Sequence, residues 1–350
     1  MARDASHTLF GPASTHDGPQ HTGTSIRVGL RHPGTTGTRF GTIPFLSKNM
    51  TSEHNETRAP WTVGSPIPLS PSAAVAGADW AIDRYRNMGI CQRHGGDRLQ
   101  RARDFLAQYS GTNAVLESSD EELLRRIVES TQTCFEHYLI ARSTGTVSGK
   151  LAPELTRKLE ESLTGEEVAD KEMNSPGRDT QFELFVRAML VMGGVSVWIA
   201  EPDLRFLYNG REVGLAAKRV KRPKKLRRRF RDAVDQIERT GHSGFVAVNA
   251  DLLVRDLGSE ASAAEIGARF QERLNALKRI DKEFGSHSHV MGRLVFGTDA
   301  IWHLGKGRPT LGFRFFRQYW LYSKTNEEAE GADRFFGELK ARIDQRMQKL

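Results

Sequence analysis

The pair Asn209-Gly210, set between two alternating runs, constrains this chain more than any other feature of it. Both residues tolerate the positive φ of a type I′ turn, and a two-residue turn of that kind leaves the two strands it joins no freedom of register. Tyr208 then faces Arg211, Phe206 faces Val213 and Leu204 faces Leu215. Side chains on a strand alternate between its faces with period two. One face therefore carries Leu204, Phe206, Tyr208, Val213, Leu215 and Ala217, apolar enough to lie on a core. The other carries Asp203, Arg205, Gly214, Ala216 and Lys218, with Glu201 at its edge. Asp203 is expected directly opposite Ala216, with Cβ atoms ~4.5–5.5 Å apart, and Lys218 diagonal to Asp203 at roughly 7–8 Å. Glu201 is expected opposite Lys218, provided Pro202 keeps the pairing.

An acid and a lysine at that spacing suit phosphodiester chemistry. A carboxylate on a rigid strand holds a divalent cation through hard oxygen ligands. Such a cation polarises phosphate and lowers the pKa of bound water, and a neighbouring ammonium group steadies charge developing on phosphate. A second acid is available on the preceding predicted helix, Thr180 to Met192. There Phe182, Phe185, Val186 and Met189 form the buried stripe, and Glu183 sits near its edge. Glu183 can thus supply a second acid near Asp203 and Lys218.

Taken in order, a helix bearing Glu183, a Gly-ended turn, an apolar strand, Pro202-Asp203, a hairpin and a strand ending in Lys218-Arg219 resemble the PD-(D/E)xK nuclease superfamily. That group includes restriction endonucleases and many phage-defence and DNA-repair nucleases. The resemblance covers about Arg178 to Val248. Glu183 matches the helix acid, Pro202-Asp203 the PD step and Lys218 the final lysine; Gln236-Ile237, before the apolar run Phe245 to Val248, also resembles versions of this core. It implies an α/β restriction-endonuclease-like core, a central mixed sheet flanked by helices, and a metal-dependent endonuclease serving phage defence or DNA processing, with Glu183 and Asp203 as the expected metal ligands, Lys218 as the third catalytic residue and Mg²⁺ or Mn²⁺ as the expected cofactor. The pattern departs at Ala216, which stands where the (D/E) acid belongs. Family members can supply the missing acid from the helix, which would make Glu183 essential, and Glu201 is a second substitute by the register above. The alternative is a catalytically silent fold that serves as a nucleic-acid-binding or protein-interaction module.

The charge distribution points to a polyanion. The chain carries a formal net charge of +8, and ten of the fourteen residues from Lys218 to Arg231 are Lys or Arg. Beyond Pro223 the run enters a predicted helix whose apolar face is Leu226, Phe230, Val234 and Ile237. Lys221, Arg222, Lys224, Lys225, Arg227, Arg228 and Arg229 are the expected contacts to nucleic acid, DNA ahead of RNA, made through phosphate rather than bases. An ordinary solvated helix face is the competing explanation, strained by self-repulsion among so many like charges. The helix lacks the bulky aromatic cluster that would insert into a membrane surface.

Composition divides the rest. Residues 1–75 hold eight of the thirteen prolines and nineteen Ser or Thr, with no apolar period, and are expected to form a disordered tail. Phe40 to Leu46 is its one segment suited to local docking. Its five histidines lack metal-site spacing. Residues 76–172 are expected to be helical, over Ala78–Met88, Asp97–Tyr109, Ser118 or Ser119 to Ile140, and Pro153–Leu163. The third of these should bury one face through Leu123, Leu124, Ile127, Val128, Phe135 and Leu139. Gly165 to Gly177 reads as a linker. This region is the one expected to hold a homodimer or protein-partner contact, and a pure interaction protein is the third reading. Residues 173–350 form the expected nuclease domain, with strands at Val195–Ile199, Gly244–Val248, Val290–Phe296 and Thr310–Tyr322, a long helix at Ala261–Phe284 and a final helix after Asn326.

Several classes fall away. No run approaches the ~18 apolar residues of a membrane span, and the N-terminus has no apolar signal-peptide core, so a cytoplasmic location is expected. Cys91 and Cys134 are too few for a disulfide framework; Cys134 is expected in the core. No P-loop, dinucleotide or serine-hydrolase motif appears in suitable context. His287 and His289 read as loop histidines. Thr298, Asp299 and His303 are weak cleft candidates. Arg314, Phe315, Phe316, Arg317, Tyr319 and Trp320 fit either base stacking or a half-buried edge strand.

Overall fold

The computed structural model describes residues 62–63, 67–68, 70–90, 97–109, 121–144, 151–165, 175–220, 223–249, 282–284, 287, 289–305, 308–322 and 325–347. The architecture is α/β. Strands β1 (Thr62–Val63), β2 (Ile67–Pro68), β3 (Val197–Ala200), β4 (Asp203–Tyr208), β5 (Arg211–Arg219), β6 (Gly244–Asn249), β7 (Val290–Gly305) and β8 (Arg308–Leu321) form one sheet. Its order is β1-β8-β7-β6-β5-β4-β3, with β2 also on β8. The sheet is mixed: β5–β6 and β6–β7 are parallel, and the other pairs are antiparallel.

The hairpin has the expected register, Tyr208↔Arg211, Phe206↔Val213 and Leu204↔Leu215. Asn209 and Gly210 have φ of 48° and 76°, the left-handed values a type I′ turn demands. Because β5 is interior, it is buried on both faces from Val213 to Ala217. Helix α6 (Leu226–Thr240) covers one face: Leu226, Phe230, Ala233, Val234 and Ile237 pack on Ala216, Val246, Val248 and Val295. On the other face lie α5 (Pro176–Met192) and α7 (Asn326–Met347). Phe182 and Phe185 meet Phe296 edge-on, and Phe206, Tyr208 and Phe245 join Phe335 and Phe336 in an aromatic cluster.

Helices α1 (Pro71–Asn87), α2 (Arg98–Ala107), α3 (Glu121–Thr144) and α4 (Pro153–Ser162) form a further layer. Asp97 caps α2, its carboxylate accepting the Gln100 N–H at 2.8 Å. Helix α3 is buried well beyond the single stripe its pattern suggests, since α1 and α2 lie on one side of it and α5 on the other. Glu129, Thr131, Thr133, Glu136 and His137 are therefore interior. Cys134 is a buried free thiol. Residues from His54 to Lys349 make one compact unit, in which α3 and α4 both pack on α5.

Three expectations need correction. The stretch expected to be a tail contributes β1 and β2 to the edge of β8, and α1 already begins at Pro71, capped by Ser70. An open edge strand supplies backbone partners to segments with no apolar period of their own. The segment expected as a linker ends early, because α5 starts at Pro176 rather than Thr180. The late strands are also longer than expected and pair from Gly292↔Leu321 to Gly305↔Arg308, so Thr298, Asp299 and His303 lie inside a continuous ladder. Residues 1–61, most of the predicted helix Ala261–Phe284 and the proposed cap at Ser118 or Ser119 lie outside the described residues. Among the described residues no helix is long and apolar enough to cross a membrane.

Candidate active site

Asp203 is the first residue of β4, and Lys218 is the penultimate residue of β5. The β4–β5 ladder stops at Leu204↔Leu215, and Asp203 pairs instead with Ala200 on β3. Asp203 consequently has no backbone pair with Ala216, but its carboxylate crosses to β5. Oδ2 accepts the Ala217 N–H at 2.7 Å and Lys218 Nζ at 3.0 Å. Gln236 of α6 closes the ring: its Nε2 donates to Asp203 Oδ1 at 2.9 Å, and its Oε1 accepts from Lys218 Nζ at 2.7 Å. Gln236 also donates to the Pro202 carbonyl. The Lys218 and Asp203 side chains are only 15% and 10% exposed, so this ring is a held geometry rather than a surface ion pair.

Glu201 does not lie opposite Lys218. Glu201 and Pro202 form the tight turn between β3 and β4, which takes Glu201 out of the ladder. It is exposed, and its Oε2 is 3.4 Å from Gln236 Nε2.

Glu183 lies on α5, near enough to Asp203 and Lys218 for their charges to act on it, and its own ion pair is with Lys158 of α4. Burial pushes the Glu183 carboxyl up to about 7; the Asp203 charge pushes it the same way, and Lys158 and Lys218 oppose the rise. The electrostatic cluster thus consists of two carboxylates and two ammonium groups drawn from α4, α5, β4 and β5. Glu183 and Asp203 offer hard oxygens from two rigid elements, and their mutual repulsion is what a cation would relieve. A pair of carboxylates suits Mg²⁺, which keeps several waters and takes substrate phosphate as a further ligand. No set of three His, Cys, Asp or Glu side chains among the described residues is arranged to hold a metal. Ala216 adds no ligand: it is fully buried in the apolar cluster beneath α6.

The basic run divides by role. Arg227 Nε and Nη2 grip Glu283 at 2.7 and 2.9 Å, Arg231 joins them at 3.0 Å, and Arg229 is 3.7 Å from Asp179 of α5. These arginines tie α6 to its neighbours, and the Arg227 side chain stays 64% exposed within its ion pair. Lys224, Lys225 and Arg228 are exposed and have no ion pair among the described residues. Lys221 and Arg222 lie outside the described residues.

Sequence reasoning missed two polar features. Lys158 sits in an ordinary charged helix, and nothing local distinguishes it. A buried network also links the helices: Arg98 donates to the Ser162 carbonyl at 2.7 Å and to Gln181, which donates to Glu136 at 2.5 Å. The network borders a polar cavity of about 20 Å³ at the ends of β5 and β6, between Glu129, Arg178, Arg219 and Asn249. That is room for about one water, so the cavity reads as structural. His287 and His289 face Glu238 at 3.6 and 3.9 Å.

In comparisons with known proteins, the chain matches no family model, no curated protein and no solved structure.

Proposed function

We propose that this protein is a metal-dependent nuclease that hydrolyses phosphodiester bonds in DNA, on a restriction-endonuclease-like core. The observation that carries the reading is the Asp203–Lys218–Gln236 ring with Glu183 beside it. The order α5, β3, β4, β5, α6, β6 supports it too, since this is the succession in which the resembling residues occur. Glu183 and Asp203 would hold Mg²⁺ or Mn²⁺, which supplies Lewis-acid polarisation of phosphate and a more acidic water. Lys218 is gripped at two points, so its ammonium group meets a phosphate oxygen or water without first being ordered. Lys224 and Lys225, in the turn leading into the helix that bears Gln236, and Arg228 on that helix offer contacts to the nucleic-acid phosphates.

A second reading has its own observation. Ala216 is packed in the core, so the β4–β5 hairpin supplies one carboxylate, Asp203, where the pattern calls for two. On this reading the domain binds nucleic acid without cutting it.

Plasmid nicking with Mg²⁺ separates the two. Wild type is expected to nick, while Asp203→Ala and Lys218→Ala are expected to lose at least about a hundredfold in rate, the order seen when one electrostatic contact to the transition state is removed. Nicking by both variants at the wild-type rate removes the site assignment. Salt-dependent binding without nicking by wild type favours the silent binder.

A further inference from the structure

We infer that Lys158 is a built-in competitor for the cation: its ammonium group and a divalent metal occupy the Glu183 carboxylate alternately. The inference rests on the nuclease reading and adds a control on that same site, from a helix outside the resembling segment. The pairing is specific. Lys158 Nζ bonds to Glu183 Oε2, and the two side chains are 12% and 14% exposed. The approach of α4 to α5 is fixed by backbone: a Cβ on Gly177 would come within 2.4 Å of the Thr164 carbonyl and 2.7 Å of the Glu161 carbonyl. Lys158, one turn before Glu161, is held against α5 by that contact.

Charge decides which ammonium group gives way. With Lys158 and Lys218 both in place, the positive charges at least balance those of Glu183 and Asp203. A divalent ion added to that set leaves two uncompensated positive charges in a nearly enclosed site, which is costly. Lys218 is bonded to both Asp203 and Gln236. Lys158 is hydrogen-bonded to Glu183 alone among the described residues. It carries a flexible four-carbon stem, so it withdraws at the lower cost. Metal entry therefore frees the Lys158 ammonium, which becomes available to a phosphate group arriving with the substrate.

The test is Mn²⁺ binding to the full chain, followed by the loss of the free-ion EPR signal, on wild type, Lys158→Met, Lys158→Arg and Asp203→Asn. Lys158→Met is expected to bind Mn²⁺ about tenfold more tightly than wild type, equivalent to ~1.4 kcal/mol. Lys158→Arg is expected to stay near wild type, and Asp203→Asn to lose binding. A lysine that merely braces α4 predicts the opposite sign, because loosening the site weakens binding. Unchanged or weaker affinity in Lys158→Met overturns the inference while the metal site stands, provided Asp203→Asn still loses binding. Wild-type affinity in Asp203→Asn, or no binding by wild type and Lys158→Met at millimolar Mn²⁺, overturns both. Should Lys158→Met melt far below wild type, Lys158→Gln replaces it with the same expected direction and the same overturning result.

Discussion

Glu183 sits near its midpoint at neutral pH, and the sign of its effect on folding follows. Its pKa of about 7 in the folded chain lies above the ordinary glutamate value, ~4.3. The charged form is the disfavoured one, so the native state is best served below the unfolded pKa. Stability falls as pH rises through the interval up to about 7 and then levels off. Glu183→Gln removes that titration. Relative to wild type it is expected to gain about 2–3 kcal/mol between about pH 5 and pH 8, read from urea melts at the two pH values. A difference that stays flat with pH would place the titration elsewhere. Asp203 accepts from three donors. Asp203→Ala strands Lys218, Gln236 and the Ala217 N–H in a largely enclosed place and is expected to cost about 2–4 kcal/mol. Asp203→Asn keeps an acceptor and should cost less than half of that. If the two variants melt together, the hydrogen-bond ring contributes nothing to folding.

Helix α6 does two jobs with residues only a turn apart. Phe230 is fully buried against Phe284, and Phe230→Ala is expected to cost about 3–5 kcal/mol in chemical denaturation. Arg228 faces solvent, as do Lys224 and Lys225 in the turn just ahead of the helix. Changing all three to Gln is expected to lower the slope of log affinity against log salt by about 2–3 for duplex DNA, and Arg227→Gln by well under the ~0.9 of one full phosphate contact, since Arg227 is held by Glu283. A loss of about 0.9 from Arg227→Gln, a third of that from the triple change, would show that the Glu283 pairing opens for phosphate. The elements that were legible in the sequence owe it to local signals. Asn209-Gly210 sets the hairpin, the spacing of Leu226, Phe230, Val234 and Ile237 sets α6, and the apolar run at Phe245 to Val248 sets β6. Strands β1 and β2 carry no such signal, because β8 gives them their partners. The β7–β8 hairpin is hidden where Gly297, Asp299 and His303 interrupt the alternation that marks a strand. Gln236 could be singled out only by resemblance, and Lys158 not at all. Lys158 stands 25 residues from Glu183 in a charged helix, and only the seating of α4 on α5 makes it a partner.

At the scale of the whole molecule, α5 belongs to both layers. It is buried along almost its whole length, with the sheet on one side and α3 and α4 on the other. Residues from His54 to Lys349 are accordingly expected to unfold in one transition, with far-UV circular dichroism and tryptophan fluorescence superimposing in guanidinium. Separate midpoints would mean that the helices and the sheet fold independently. Gln181 and Glu183 lie two positions apart on this helix: the first joins the interior network with Glu136, and the second borders Asp203. A transplant carrying only residues 175–249 onto a foreign scaffold would leave Glu183 without its counter-ion and half of α5 facing water. The smallest portable piece starts at α1, since anyone shortening this protein from its amino end strips α3 and α4 from α5 before reaching β3.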